Sequence, residues 1–293
     1  MYFLRTRIFV LSLVLTSTVC GLATGALDSA AFSSLGVLDL SAGAYTIDTT
    51  TGLLTDDATG ATLFTGVPFN QSISSDAPFY GWNPELTVFT FDRIMIGATA
   101  SVRAHGENPL VLLSKSEARI DGDIDASGEN GDRGIGNLVT PGGTGLGGRG
   151  GPGGGKGGDG ADDAPPGRGY DGEGPGYGFG GFGGTGTRGN GAGFGGFGGG
   201  GFGGTVTNSS YGDLKQFLQG GSGGGGAGRD LFLITKGPGG GGGGGGVEIG
   251  AATSLTHTSR SRVLQQHVFN AALKHLIVAT ECYLCQTPIR LIG

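Results

Sequence analysis

Short apolar runs alternate with polar residues through the first half of the chain, and glycines separate them. Between 85 and 128 the runs are Thr87-Val88-Phe89-Thr90-Phe91, Ile94-Met95-Ile96, Ser101-Val102-Arg103, Leu110-Val111-Leu112-Leu113 and Ala118-Arg119-Ile120. Their spacing of roughly eight residues is that of short strands joined by turns. Gly97, Gly106, Gly122 and Gly128 fall between them and read as the turn positions. Upstream, 27–84 is rich in Ser, Thr, Asp and Gly and carries shorter clusters, Gly36-Val37-Leu38-Asp39-Leu40 and Ala44-Tyr45-Thr46-Ile47-Asp48. Neither stretch has a helical period. The pattern predicts an all-β fold. Very short strands with few hairpin signals favour a parallel β-solenoid, with a β-sandwich as the alternative.

The pattern changes at residue 129. From 129 to 246 the chain is a low-complexity tract with phenylalanine–glycine strings at Phe179, Phe182, Phe194, Phe197 and Phe202. Two islands interrupt it: 211–219, expected as a short helix or turn, and Asp230-Leu-Phe-Leu-Ile-Thr-Lys236, expected as a buried strand. Val247-Glu248-Ile249-Gly250-Ala251 then alternates like a strand, so 247–256 reads as the β-architecture returning and the tract as a long glycine-rich insertion. In 257–293, Val263, Leu264, Val268, Ala271, Ala272 and Ile277 recur at helical spacing and predict a helical C-terminal tail. An out-of-frame continuation of the repeat is the competing explanation of that tail. The chain thus divides into a leader (1–26), a β-rich domain (27–128), the tract (129–246), the returning strand (247–256) and the tail (257–293).

Phe89-Thr90-Phe91-Asp92-Arg93-Ile94, Pro109-Leu110-Val111-Leu112-Leu113-Ser114 and Ile120-Asp121-Gly122-Asp123-Ile124-Asp125-Ala126-Ser127-Gly128 come in that order. A glycine tract and Gly246-Val247-Glu248-Ile249-Gly250-Ala251 close the set. This arrangement resembles glycine-rich exported bacterial proteins of β-solenoid, adhesin-like character. The resemblance spans about half the chain and implies a secreted or surface role in adhesion or a matrix. The helical tail departs from it.

Composition narrows the functions. Of 69 glycines, 53 lie between Pro141 and Gly250. Glycine has no side chain to bury and loses the most backbone entropy on ordering, so the tract is expected to build no packed core of its own. A net charge of −6 argues against nucleic-acid binding, which calls for a basic stripe. At the N-terminus, Arg5 and Arg7 precede an apolar run from Ile8 to Ala23, followed by Ala23-Thr24-Gly25-Ala26. That is a secretory leader with an expected cut after Ala26. The run is short for a membrane anchor, and no other stretch is long enough to span a bilayer, so the mature chain is expected without a membrane span.

Candidate chemistry is sparse. Asp121, Asp123 and Asp125 form a carboxylate row that invites a calcium reading, because hard cations take several oxygens on a tight loop. Strand alternation explains the same residues by pointing Ile120, Ile124 and Ala126 inward and the acids outward. The glycines around Lys156 lack the Ser or Thr that follows the lysine of a phosphate loop. Cys282 and Cys285 have redox-pair or half-zinc-site spacing, with His275 nearby. Asp56-Asp57 and Asp162-Asp163 lie in turn-like sequence without an apolar pocket. The expectation is a non-catalytic secreted or cell-surface structural protein. Its partners would be extracellular matrix, an envelope polymer or further copies of itself, with no cofactor beyond calcium. A calcium-dependent binding module is the alternative, and a polysaccharide-acting solenoid enzyme the more distant one.

Overall fold

Alternation becomes strand wherever one residue in two finds an apolar interior. The computed structural model describes residues 27–71, 85–132, 145–161, 167–174, 178–181, 218–228, 237–258 and 274–279. After a single 3₁₀ turn at Ser29–Ala31 come β1 (Val37–Asp48), β2 (Leu53–Asp56), β3 (Thr62–Thr65), β4 (Val67–Asn70), β5 (Glu85–Phe91) and β6 (Arg93–His105). They are followed by β7 (Leu110–Ser114), β8 (Glu117–Ile120), β9 (Asp123–Asp125), β10 (Gly246–Ala251), β11 (Ser254–His257) and β12 (Lys274–Ala279). The described residues hold no α-helix, and the fold is all-β.

The strands form two sheets. One has the order β11-β8-β6-β1-β2-β3, with β9 also on β6, and the other β12-β10-β7-β5-β4. Their central pairings are parallel: β1 with β6, β6 with β8 and β9, and β8 with β11 in the first sheet. In the second sheet β5 pairs with β7 and β7 with β10. The chain crosses between sheets at each corner, from β5 to β6, β6 to β7, β7 to β8 and β10 to β11. Antiparallel hairpins, β1-β2-β3 and β4-β5, finish one end.

The apolar interior lies between the sheets. Leu38, Leu40, Ile94, Ile96, Val102, Ile120 and Ile124 face it from the first sheet, and Phe89, Phe91, Leu110, Leu112, Val247 and Ile249 from the second. The two sheets differ on their outer faces. That of the first is wet and charged, with Arg93–Glu117 and Arg103–Glu129 pairs. That of the second is covered: Leu86, Val88, Val111 and Leu113 pack with Leu218, Leu27, Phe32 and Phe69. β5, β7 and β10 are therefore buried on both sides, and their sequences are near-continuous apolar runs.

Three readings of the sequence are corrected. The runs 94–96 and 101–103 belong to one strand, β6, which passes straight through Gly97. There a Cβ would come within 2.5 Å of the Ser41 carbonyl oxygen, where the β1 register shifts between Leu40 and Ala42. This glycine permits close approach rather than a turn, whereas Gly106, at φ 123, is a true corner glycine. Likewise the clusters 36–40 and 44–48 fuse into the 12-residue β1. The helical tail fails at 274–279, which pair antiparallel with β10 as β12. The open edge of β10 offers a full backbone ladder, and Ile277 and Val278 are β-branched strand formers. The rest of the tail lies outside the described residues, as do the islands 211–217 and 230–236.

Gly97→Ala is expected to destabilise the protein by about 1–3 kcal/mol. Thermal melting should show this as a fall of several degrees.

Candidate functional site

The described parts of the glycine tract are ordered and packed, contrary to the expectation that they could build no core. Seven segments run alongside one another: I (126–132), II (145–151), III (154–161), IV (168–173), V (178–181), VI (219–227) and VII (237–246). Their backbone hydrogen bonds recur at every third residue. Gly145, Gly148 and Gly151 of segment II donate to Gly237, Gly240 and Gly243 of segment VII. Gly155, Gly158 and Ala161 of segment III donate to Gly221, Gly224 and Ala227 of segment VI. Gly239, Gly242 and Gly245 donate back to Asp132, Glu129 and Ala126. A three-residue repeat with no bonds inside a segment is the signature of the polyproline II helix, whose backbone is satisfied only by neighbours or water.

The pairings fix a two-layer array. Segments II, III and IV lie side by side in one layer, and I, VII, VI and V in the other. Bonds also cross between the layers, II to VII, III to VI and VII to III, and VI to IV. Segments II and VII, III and VI, and V and VI run parallel, and the other bonded pairs run antiparallel. Segment I continues directly from β9, and segment VII runs directly into β10, so the bundle grows out of the sheets. It is fastened there by the Gly153 N–H on the Gly106 carbonyl at 2.9 Å. The Gln71 side chain adds a two-way clasp on the Leu218 backbone, at 2.9 and 3.0 Å.

Glycine content follows the number of neighbours. Segment VII, bonded to I, II, III and VI, is glycine from 239 to 246. Cβ atoms on Gly157, Gly242 and Gly243 would fall against the carbonyl oxygens of Gly240, Arg149 and Gly221. Segments II and III keep one larger residue in three, Leu146 and Arg149, then Lys156 and Asp159, on the side away from the second layer. Segment I needs only Gly128 and Gly131, one in three.

The residues between the glycines make the only side-chain chemistry the bundle has among the described residues. The Asp159 Oδ1 accepts from the Gly147 N–H at 2.7 Å and from Lys156 Nζ at 3.0 Å, joining segments II and III. The Asp171 Oδ1 accepts from the Gly180 N–H at 2.7 Å and from Arg168 Nη2 at 2.5 Å, joining IV and V. Both ion pairs span three residues, one polyproline II turn of about 9 Å. Burial pushes the Asp159 carboxyl up, but the Gly147 N–H and the hydrogen bond and charge of Lys156 more than offset it, leaving the group below its ordinary value. Leu146, Arg149, Lys156, Arg168 and Asp171 thus sit on one regular outer face. It is the candidate functional surface.

The sequence-predicted candidates fall elsewhere. Asp123 and Asp125 are exposed on one face of β9, with the buried Ile124 between them, and Asp125 Oδ1 accepts from the Ser127 N–H at 2.9 Å. Asp121 is engaged differently: its carboxylate accepts from the Thr258 hydroxyl and from Arg119 Nε at 2.6 Å. The Thr258 bond, then Arg119, hold it below its ordinary value. Among the described residues no group of three or more His, Cys, Asp or Glu is placed to hold a metal ion. Asp56 closes the β2–β3 turn by accepting from Ala58 N and the Thr59 hydroxyl. The amides around Lys156 are spent inside the bundle, Gly151 on Gly243 and Gly154 on Gly151, and so are not turned toward a phosphate. Asp162, Asp163, Cys282 and Cys285 lie outside the described residues. No family model, curated protein or solved structure matches the chain.

Gly243→Ala is expected to cost at least about 3 kcal/mol, lowering the melting temperature by roughly 10 °C or preventing folding. Gly241→Ala, whose Cβ would meet nothing closer than 3.7 Å, should leave it unchanged. The folded-state carboxyl of Asp159 is depressed below its model value of 3.8, so its contribution is present above that pH and lost as pH falls below it. Asp159→Asn should therefore flatten the fall in melting temperature below about pH 4.

Proposed function

We propose that this chain is an exported structural protein of the cell surface or surroundings, adhesin-like and without catalysis. In this reading a β-solenoid core supports a stiff glycine bundle that presents a regular face. The parallel stacking of β5, β7 and β10 and of β1, β6 and β8 favours a solenoid over a sandwich, since strands joined by corners return to the same sheet in register.

One observation carries the reading: the interior of the bundle consists of backbone and hydrogen bonds. An interior without side chains leaves neither a cavity to enclose a substrate nor a cluster of acids and bases to act on one. It does provide rigidity, with charged residues of both signs repeating along each segment. Such a surface suits a repetitive partner: an envelope or matrix polymer, or a second bundle. Asp123 and Asp125, on one exposed face, support a calcium-dependent contact as a second reading. Millimolar calcium would then raise the melting temperature.

The test reverses the face and leaves the interior intact. A triple variant, Arg149→Glu, Lys156→Glu and Arg168→Glu, should reduce association with whole cells or with other copies at least tenfold. Its melting temperature should change by only a few degrees, because exposed ion pairs contribute little. Unchanged association would refute the assignment of this face, and recovery of the chain solely from the cytoplasm would refute the exported role.

A further inference from the structure

Glu248 is the one acidic residue among the described residues that is wholly buried, at 0% exposure. It stands in β10 with its side chain opposite to those of Val247 and Ile249, which enter the intersheet core. On that outer face its neighbour in register is Val111, a member of the apolar cluster covered by Leu27 and Phe32. Its Oε1 accepts from the backbone nitrogen of Leu27 at 3.1 Å, across 221 residues of chain.

Leu27 is also the residue that follows the expected leader cut after Ala26. As long as the leader is attached, the Leu27 nitrogen is a peptide N–H, with one proton to donate and no charge. Cleavage changes this atom and no other in the neighbourhood. Water splits the Ala26–Leu27 amide, leaving a carboxylate on Ala26 and, with a proton taken up, an ammonium on Leu27. The new ammonium carries three donors and a positive charge, and an α-amino group is largely protonated at neutral pH. A buried carboxylate is costly without a countercharge, and this one lies within hydrogen-bond reach of the nitrogen that acquires it.

We propose that removal of the leader between Ala26 and Leu27 creates an ion pair between the Leu27 α-ammonium and the buried Glu248 carboxylate, locking the cover onto the outer face of the second sheet. Export processing is then the last step of folding. The precursor has the same residues but holds this cover with a single neutral hydrogen bond. The proposal rests on the exported role but is tested independently of it, on purified full-length mature protein.

The experiment compares chains starting at Leu27 and at Ala26, each released from a fusion by a protease that leaves no extra residue, with and without Glu248→Gln. The Leu27 start should melt roughly 4–8 °C above the Ala26 start, and Glu248→Gln should abolish that difference. Should the Gln variant not fold, acetylating the Leu27 amine of the wild-type chain must produce the same drop. Equal melting of the two starts, a difference that survives in Glu248→Gln, or no effect of acetylation overturns the ion pair. N-terminal sequencing of exported protein adds a separate arm: a start other than Leu27 overturns the proposal while leaving the extracellular role standing.

Discussion

The structure depends on peptide groups meeting peptide groups at distances that leave no room for a Cβ. In a sheet, each backbone pairs with two neighbours in one plane and side chains occupy the space above and below. In the glycine bundle, bonds leave each segment in several directions, and the space that side chains would fill is taken by the next backbone. Only glycine allows this, and glycine loses the most conformational freedom when it orders. The many interstrand bonds, each worth roughly 0.5–1.5 kcal/mol net, oppose that loss only if they form together. The neighbouring sheets supply the template: β9 and β10 deliver segments I and VII already positioned and fixed in direction.

This division of labour accounts for the charged residues. A three-fold repeat places every third side chain on the same side, so each segment at the boundary has one stripe for residues other than glycine. Asp159 and Asp171 use theirs to accept an N–H from the adjoining segment, at Gly147 and Gly180, and to pair with a cation one turn away. These acids are parts of the framework as well as of its surface.

Much of the β-core was legible in the sequence because its period of two is a direct record of which face is buried. The runs at 87–91, 110–113 and 118–120 became β5, β7 and β8. The errors came at glycines, which were read uniformly as turns. Gly106 is one, but Gly97 and Gly122 sit where other backbone passes close, and sequence does not distinguish these causes locally. The bundle was missed for a related reason: glycine was judged by what its side chain cannot bury, not by what its backbone can bond. The signal was there in Gly147-Gly148-Arg149-Gly150-Gly151 and in Gly154-Gly155-Lys156-Gly157-Gly158-Asp159-Gly160, two glycines and one other residue in strict rotation. The Leu27–Glu248 contact joins positions 221 residues apart, and no local pattern encodes it. The calcium candidates show the opposite case, since alternation alone placed Ile124 inward and Asp123 and Asp125 outward.

The place of segment VII in the array constrains the order of events during biosynthesis. It touches segments I, II, III and VI, yet it is the last of the seven to be made. Until residue 246 has been added, the earlier segments surround an empty channel and lack the bonds that hold the two layers in register. Contacts this distant in sequence close slowly. The nascent chain therefore stays pliable through most of its synthesis and becomes rigid in one late, concerted step. A polypeptide that must be threaded through a narrow export pore as an unfolded strand gains from such a delay.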